Sequence, residues 1–213
     1  MGKQKRTYAY YRLITEIPAL LAVIILTSQQ KLQMWLGVFL LGVIISLRFG
    51  RFFCGWICPM NTLFRPIDWI YRKLHIRRLK TPAFLSKTWV RYAFLALFVI
   101  AMVSMRIFQI KINVLLYVII LSVIVTLFFE ESFWHRHVCP FGTILSISSR
   151  SAKTVVDIDK EGCISCGICQ KECPSDAIIT AEDGKREIIH HECLMCYECI
   201  ECCPKDACSV QRS

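Results

Sequence analysis

Apolar residues gather into four runs, over 13–27, 32–47, 90–107 and 112–129. A helix crossing a bilayer needs about 20 apolar residues, with about 17 as the low end. The third and fourth runs qualify, with Arg91 and Arg106 placed to snorkel from their ends. The first two are shorter. Extending the first back through Tyr8, Tyr10 and Tyr11 adds aromatic residues suited to a membrane interface. Glu16 and Pro18 then fall near one end of that helix, and Glu16 reads as an interfacial charge. No small-residue cleavage site follows the basic Lys3, Lys5 and Arg6 and the first run, which therefore reads as a retained helix.

Between the second and third runs the pattern changes. Leu63, Phe64, Ile67, Ile70, Tyr71 and Leu74 keep helical spacing, while Arg65, Arg72, Lys73, Arg77 and Arg78 supply positive charge. Over 61–79 this describes a basic amphipathic helix lying on anionic lipid; a solvated basic linker is the alternative. The expected fold class is membrane α-helical over 1–154, four transmembrane helices as two hairpin repeats, followed by a different kind of unit over 155–213. The hairpins end in related stretches 81 residues apart: Phe52-Phe53-Cys54-Gly55-Trp56-Ile57-Cys58-Pro59 and Phe133-Trp134-His135-Arg136-His137-Val138-Cys139-Pro140.

Charge sharpens the division. Up to Thr154 there are 20 Lys and Arg against 4 Asp and Glu; beyond it there are 6 against 12. The overall +10 is thus a basic membrane part joined to an acidic one, which argues against a nucleic-acid partner. Basic residues crowd the N-terminus to Arg12 and the stretch from Arg48 to Arg91, while Lys31, Arg106 and Lys111 alone mark the other side. The positive-inside rule then puts both termini, the central loop and the C-terminal unit on the cytoplasmic side of a prokaryotic cytoplasmic membrane. Ten of the 13 cysteines follow residue 160. In a reducing compartment they point to metal ligation rather than disulfides.

Their spacing is informative. Cys163, Cys166, Cys169, Cys173 and Pro174 form C-x2-C-x2-C-x3-C-P, and Cys193, Cys196, Cys199, Cys203 and Pro204 repeat it 30 residues later. Three closely spaced thiolates wrap one [4Fe–4S] cluster while the fourth ligates the other cluster. Cluster 1 would take Cys163, Cys166, Cys169 and Cys203; cluster 2 would take Cys193, Cys196, Cys199 and Cys173. Zinc sites do not need the third C-x2-C step or the Cys-Pro close. Cys208 occupies the place of Ile178 in the repeat and reads as a small buried residue, Cys202 as a spare thiol. Over 159–210 the chain resembles bacterial two-cluster ferredoxins, which implies an α+β unit of short antiparallel strands and two small helices.

At the membrane edge, Cys54, Cys58, Cys139 and His135 are candidates for an additional iron–sulfur, zinc or copper site; buried packing thiols are the alternative. These motifs followed by a two-cluster ferredoxin resemble the NapH/NosR/CcoG group of membrane polyferredoxins, and the size is closest to the NapH-type quinol dehydrogenase component. The resemblance implies electron transfer between quinol and a partner redox protein. His135 departs from the cysteine that members often carry, and Met60 and Asn61 depart from Gly142 of the second copy. His137, Glu130, Glu131 and Trp134 are candidates for a quinone site, since quinol oxidation needs a proton acceptor; solvated interfacial charge is the other reading of the two glutamates. His75, His190 and His191 look structural or exposed. The acidic ferredoxin implies a partner with a basic surface. Three functions compete: a redox subunit on the quinone pool, a copper reductase or assembly factor for a respiratory enzyme, and a membrane anchor docking a soluble oxidoreductase.

Overall fold

The computed structural model describes residues 7–29, 31–82, 84–109 and 113–212. Lys3, Lys5, Arg6 and Lys111, which enter the orientation reading, lie outside them, as does the side chain of Arg106. Three helices are long and apolar enough to cross a membrane: α1 (Thr7–Ser28), a helix over Leu32–Phe49 whose first turn is 3-10 and whose remainder is α2 (Trp35–Phe49), and α5 (Thr88–Ile107) over Thr88–Met105. The fourth run forms α6 (Val114–Phe128), apolar but only 15 residues long. At 1.5 Å per residue that spans about 22 Å, short of a hydrocarbon core of about 30 Å. Its end is set by pairing rather than by composition: Phe129 turns extended and bridges Leu79, with Leu79 N donating to Phe128 O and Glu130 N to Leu79 O.

The expected amphipathic helix is present as α4 (Pro59–Lys73). It buries Pro59, Met60, Asn61 and Phe64 at its start and leaves Trp69 and Ile70 exposed farther on. Before it, Gly50 at φ +65° ends α2, and α3 (Phe52–Trp56) carries Cys54. The second copy of the motif differs in shape. After the single turn α7 (Glu131–Phe133), residues Trp134–Val138 are wound as a π-helix, then α8 (Pro140–Ser148) begins. Both copies nevertheless close alike. Cys58 and Cys139 are extended (φ/ψ −67°/120° and −66°/113°) and each hands a proline to the first position of a helix, where the missing N–H costs nothing.

The C-terminal part is small and ordered by pairing. β1 (Thr154–Ile158) runs antiparallel to β4 (Cys208–Arg212), with Ile158 opposite Cys208. β2 (Ile178–Thr180) pairs with β3 (Arg186–Ile188), and α9 (Ile168–Lys171) and α10 (Glu198–Cys202) follow the two cysteine loops. Left-handed residues recur at the 30-residue offset: Ser165 with Met195, Gly167 with Tyr197, Asp176 with Asp206. The two cysteine modules are therefore one backbone conformation used twice.

These two parts share one continuous packed interior. Cys196 belongs to the same buried cluster as Phe39, Phe53, Phe64, Trp134 and Phe141. The tightest seam lies at Gly55. A Cβ there would press into the Leu194 carbonyl oxygen and sit 3.2 Å from Cys196 N. Trp56 Nε1 donates to Met195 O at 2.8 Å alongside it. Gly55→Ala is expected to force this seam open at a cost of about 1–3 kcal/mol, the usual range for overpacking. Protease cleavage of the 150–154 connection would begin at lower temperature than in the parent; an unchanged cleavage profile would contradict the seam.

Candidate iron–sulfur sites

Each cysteine set is built from a loop and one distant residue. Cys163, Cys166, Cys169 and Cys203 line one shallow pocket, together with Gly162, Gly167 and Cys208. Cys173 is an electrostatic neighbour of Cys193, Cys196 and Cys199. In each case the structure brings a cysteine of one module next to the loop of the other, Cys203 beside the first loop and Cys173 beside the second. Backbone N–H groups point at sulfur: Ala177 N to Cys173 Sγ and Ala207 N to Cys203 Sγ, both 3.3 Å, and Met195 N to Cys193 Sγ at 3.4 Å. Burial pushes the Cys193 thiol up to about 12 and raises that of Cys196. A bare thiolate is costly there, whereas a coordinating metal takes the sulfur's charge and deprotonates it outright. Left-handed loop residues, sulfur-directed amides and clustered dry thiols together fit iron–sulfur clusters. Among the described residues no cysteine is in a disulfide, and no three His, Cys, Asp or Glu are spaced for a single metal ion.

Cys208 is buried beside Cys169 and Cys199, between the two sets. Cys202 is half-buried, its Sγ 3.6 Å from Cys199 O.

Cys54, Cys58 and Cys139 are buried and electrostatically close to one another. Gly142 N donates to Cys139 Sγ at 3.3 Å. Burial pushes Cys139 up to about 11. Arg51, fully buried, opposes that rise at Cys54 and Cys139. The ring of His135 packs 5.4 Å from that of Phe64, and its Nε2 is buried without a hydrogen-bond partner. Burial, then Arg51, lowers its pKa to about 3, so the imidazole is neutral. Gly142 replaces Asn61 of the first copy for a visible reason, since a Cβ would lie 2.7 Å from Arg51 Nη2.

Arg51 belongs to a charge cluster that the sequence pattern did not reveal. Arg51 Nη1 lies 3.1 Å from Glu192 Oε2, and Arg91 pairs with Glu192 Oε1. Ser146 Oγ donates to the same oxygen at 3.3 Å. Burial alone would raise the Glu192 pKa, but the two guanidiniums outweigh it and hold the carboxyl below its ordinary value. Arg91 therefore does not snorkel toward lipid headgroups: it turns inward, and its Nε also donates to Thr143 Oγ1 at 3.2 Å. Glu16 is likewise buried rather than interfacial, 3.0 Å from Arg65 Nε, because a buried carboxylate survives only with a counter-charge. Arg12 on the same helix reaches Glu198 at 2.9 Å and donates to Cys196 O at 2.7 Å. His190 and His191 have partners as well, Asp157 at 3.7 Å and Glu192 at 3.6 Å. Adjacency to a cysteine motif is the one sequence signal that Arg51 and Glu192 carried.

Five C-terminal acids face the N-terminal helices: Glu172, Asp176, Glu192 and Glu198 meet arginines, and Glu201 accepts from Ala9 N. The basic surface expected of a partner is thus in good part the chain's own. In the candidate quinone region, Glu131 is mostly buried and 3.9 Å from Arg78, not a solvated interfacial charge. Burial, then Asp68, raises its pKa to about 7. Trp134 Nε1 is buried with no hydrogen-bond partner, and His137 is buried against Phe133.

Comparison with known proteins also points to iron–sulfur binding. The model of a 4Fe-4S binding domain matches residues 32–77 and 112–155, and that of a 4Fe-4S dicluster domain matches 155–204. An uncharacterized protein of Methanocaldococcus jannaschii is 31% identical, the match covering 80% of this chain and 68% of that protein. The putative electron transport protein YccM of Escherichia coli is 28% identical over 76% of this chain and 51% of its own length. The ferredoxin-type protein NapH of the same organism is 23% identical over 82% and 66%. No solved structure matches the chain.

Two outcomes follow from the charges. Glu192→Gln leaves two buried guanidiniums facing a neutral amide and is expected to destabilise by about 3–5 kcal/mol, as when one partner of a buried pair is removed; a thermal unfolding midpoint equal to the parent's would refute this. Glu131 has a folded pKa above the ordinary carboxylate value of about 4.3. Its favourable contribution is therefore complete below that value and is lost as pH rises through 7. Glu131→Gln should raise the unfolding midpoint at pH 8 and leave it unchanged at pH 4.

Proposed function

The chain belongs to the NapH-like family of 4Fe-4S ferredoxin-type proteins, and from that premise we propose that it passes single electrons between the membrane quinone pool and a redox partner protein. Iron–sulfur electron transfer is the shared ground of the family; the route is our reading. Cluster 1 is held by Cys163, Cys166, Cys169 and Cys203, and cluster 2 by Cys193, Cys196, Cys199 and Cys173. When bound, the clusters supply reversible one-electron storage. The chain's own residues hold and shield them: loop amides direct N–H groups at sulfur, and Arg12 and Trp56 fix the inner loop through its carbonyls.

The observation that carries the reading is the asymmetry of the two loops. Leu194, Met195 and Cys196 are buried against the turn bearing Cys54 and Cys58, whereas Cys166 is exposed. Cluster 2 then faces the membrane part and cluster 1 faces outward, which orders a path from lipid-borne quinol to a soluble partner. In this reading α1, α2, α5 and the shorter α6 cross the membrane, α4 lies along anionic lipid, and the ferredoxin unit of residues 155–213 is cytoplasmic. Glu131, with a pKa near neutrality, suits a proton acceptor for quinol.

A second reading gives Cys54, Cys58 and Cys139 an iron–sulfur centre of their own, supported by the buried Arg51 beside them and the amide directed at Cys139. In that case the same thiols would serve a copper-reducing or assembly role equally well. Iron analysis of anaerobically purified protein separates the two. About eight irons per chain, the sum of two [4Fe–4S] clusters, is expected, with no change on Cys58→Ala. An excess lost in that variant establishes the additional centre. In proteoliposomes a quinol analogue should reduce the clusters and change their EPR signal. If excess quinol leaves the signal unaltered with a partner protein present, the quinone route is wrong.

A further inference from the structure

The ferredoxin repeat supplies its own reference for what its cysteine loops bind. The inner loop, Cys193 to Cys199, is covered. Leu194 and Met195 are 1% and 2% exposed. Their environment has three parts: a glycine that lets backbone approach backbone, the Trp56 Nε1 donor on Met195 O at 2.8 Å, and the Arg12 Nη1 donor on Cys196 O at 2.7 Å. The outer loop has the same backbone conformation, with left-handed residues at matching positions 165 and 167. Its corresponding surface is open at Ile164, Cys166 and Ile168, while Arg186 lies over Gly167. Ile164, the counterpart of Leu194, is 55% exposed, Ile168 is 41% exposed, and the candidate ligand Cys166 between them is exposed. Among the described residues no side-chain donor meets Ser165 O or Cys166 O, the counterparts of the two carbonyls that Trp56 and Arg12 engage.

We infer that the outer loop from Ile164 to Ile168 is the docking face for a soluble electron-transfer protein, seated as the chain's own helices are seated on the inner loop. The inner interface specifies the chemistry of that occupant. Its face carries a small residue at the centre, an apolar wall for Ile164 and Ile168, and arginine or tryptophan N–H donors for the two carbonyls. Strong positive charge is not required of it. With five acids turned toward the N-terminal helices, the remaining C-terminal part carries seven acidic against six basic residues. Docking of this kind depends on contact and hydrogen bonds, and so resists salt that would screen exposed charge pairs.

The inference rests on the reading of the chain as a two-cluster carrier, and the test separates the two. The probe is a soluble flavoprotein oxidoreductase that accepts electrons from two-cluster ferredoxins, titrated against the full cluster-loaded chain in nanodiscs. Amide hydrogen exchange should show protection confined to residues 163–169. Ile164→Arg should weaken binding at least about tenfold, the loss expected at the centre of an interface. Gln211→Arg, the same charge change on the exposed end of β4, should weaken it less than about twofold, and raising salt to about 0.5 M should change the parent affinity less than about threefold. Ile168→Arg serves in place of Ile164→Arg if that variant loses iron. Absence of binding, protection elsewhere, equal losses in the two arginine variants, or strong salt dependence each overturns the docking face. Absence of clusters in the parent chain instead overturns the carrier reading.

Discussion

The arrangement depends on one buried carboxylate. Glu192 sits immediately before Cys193, and its two oxygens are divided between Arg51, at the junction of α2 and α3, and Arg91, at the start of α5. An isolated carboxylate in a dry interior is prohibitive, and so are two isolated guanidiniums. Each therefore exists only because the others are in place. The same glutamate receives Ser146 from α8, and its backbone carbonyl receives Ser175, two residues after Cys173. One residue thus draws together the end of α2, the start of α5, α8, the inner cysteine loop and the segment that carries Cys173.

This explains why a membrane part would tolerate so much charge. Arg12, Glu16, Arg51, Arg65 and Arg91 are distributed over α1, α4, α5 and the junction of α2 and α3, and each has its counter-charge or carbonyl at the ferredoxin side or on a neighbouring helix. Buried ion pairs contribute little net stability but penalise every mispairing. Their effect here is registration. The inner cysteine loop is held against the helices by several charges that another orientation would leave unpaired. The duplicated motif shares in this. Gly55 of the first copy lies against the inner loop, while Arg136 at the matching place in the second donates to Asp176 O at 2.9 Å. The two copies grip the same cysteine set from its two ends.

Local chemistry was legible in the sequence because it is written locally. Cysteine spacing, the Cys-Pro closures, the apolar runs and the helical period of α4 all depend on residues within a turn or two. That Cys203 lies beside the first cysteine loop and Cys173 beside the second was legible too, since a repeated loop of three thiols leaves its fourth place to the other copy. What could not be read were partnerships across the chain. Arg91 and Glu192 are 101 residues apart and Arg12 and Cys196 are 184 apart. Without the partner in view, an arginine at a helix end reads as snorkelling and a glutamate near a helix end reads as interfacial. The length of α6 was hidden for a similar reason, because its end is fixed by a bridge to Leu79 and not by loss of apolar character.

Two copies of one cysteine loop have thus been given different surroundings, and surroundings set what such a site does. Backbone hydrogen bonds, net charge and solvent exposure tune the potential of an iron–sulfur centre. The inner set lies in a dry interior beside Arg12 and a clamped Glu192, under Trp56 and Tyr197. The outer set has an exposed cysteine and Arg186 close over Gly167, with a guanidinium nitrogen 3.1 Å from where a Cβ would stand. Identical ligands in unlike environments cannot be isopotential except by coincidence. A difference in potential between two such sites would set where a shared electron resides, and here it would come from how one repeat was docked and the other left open.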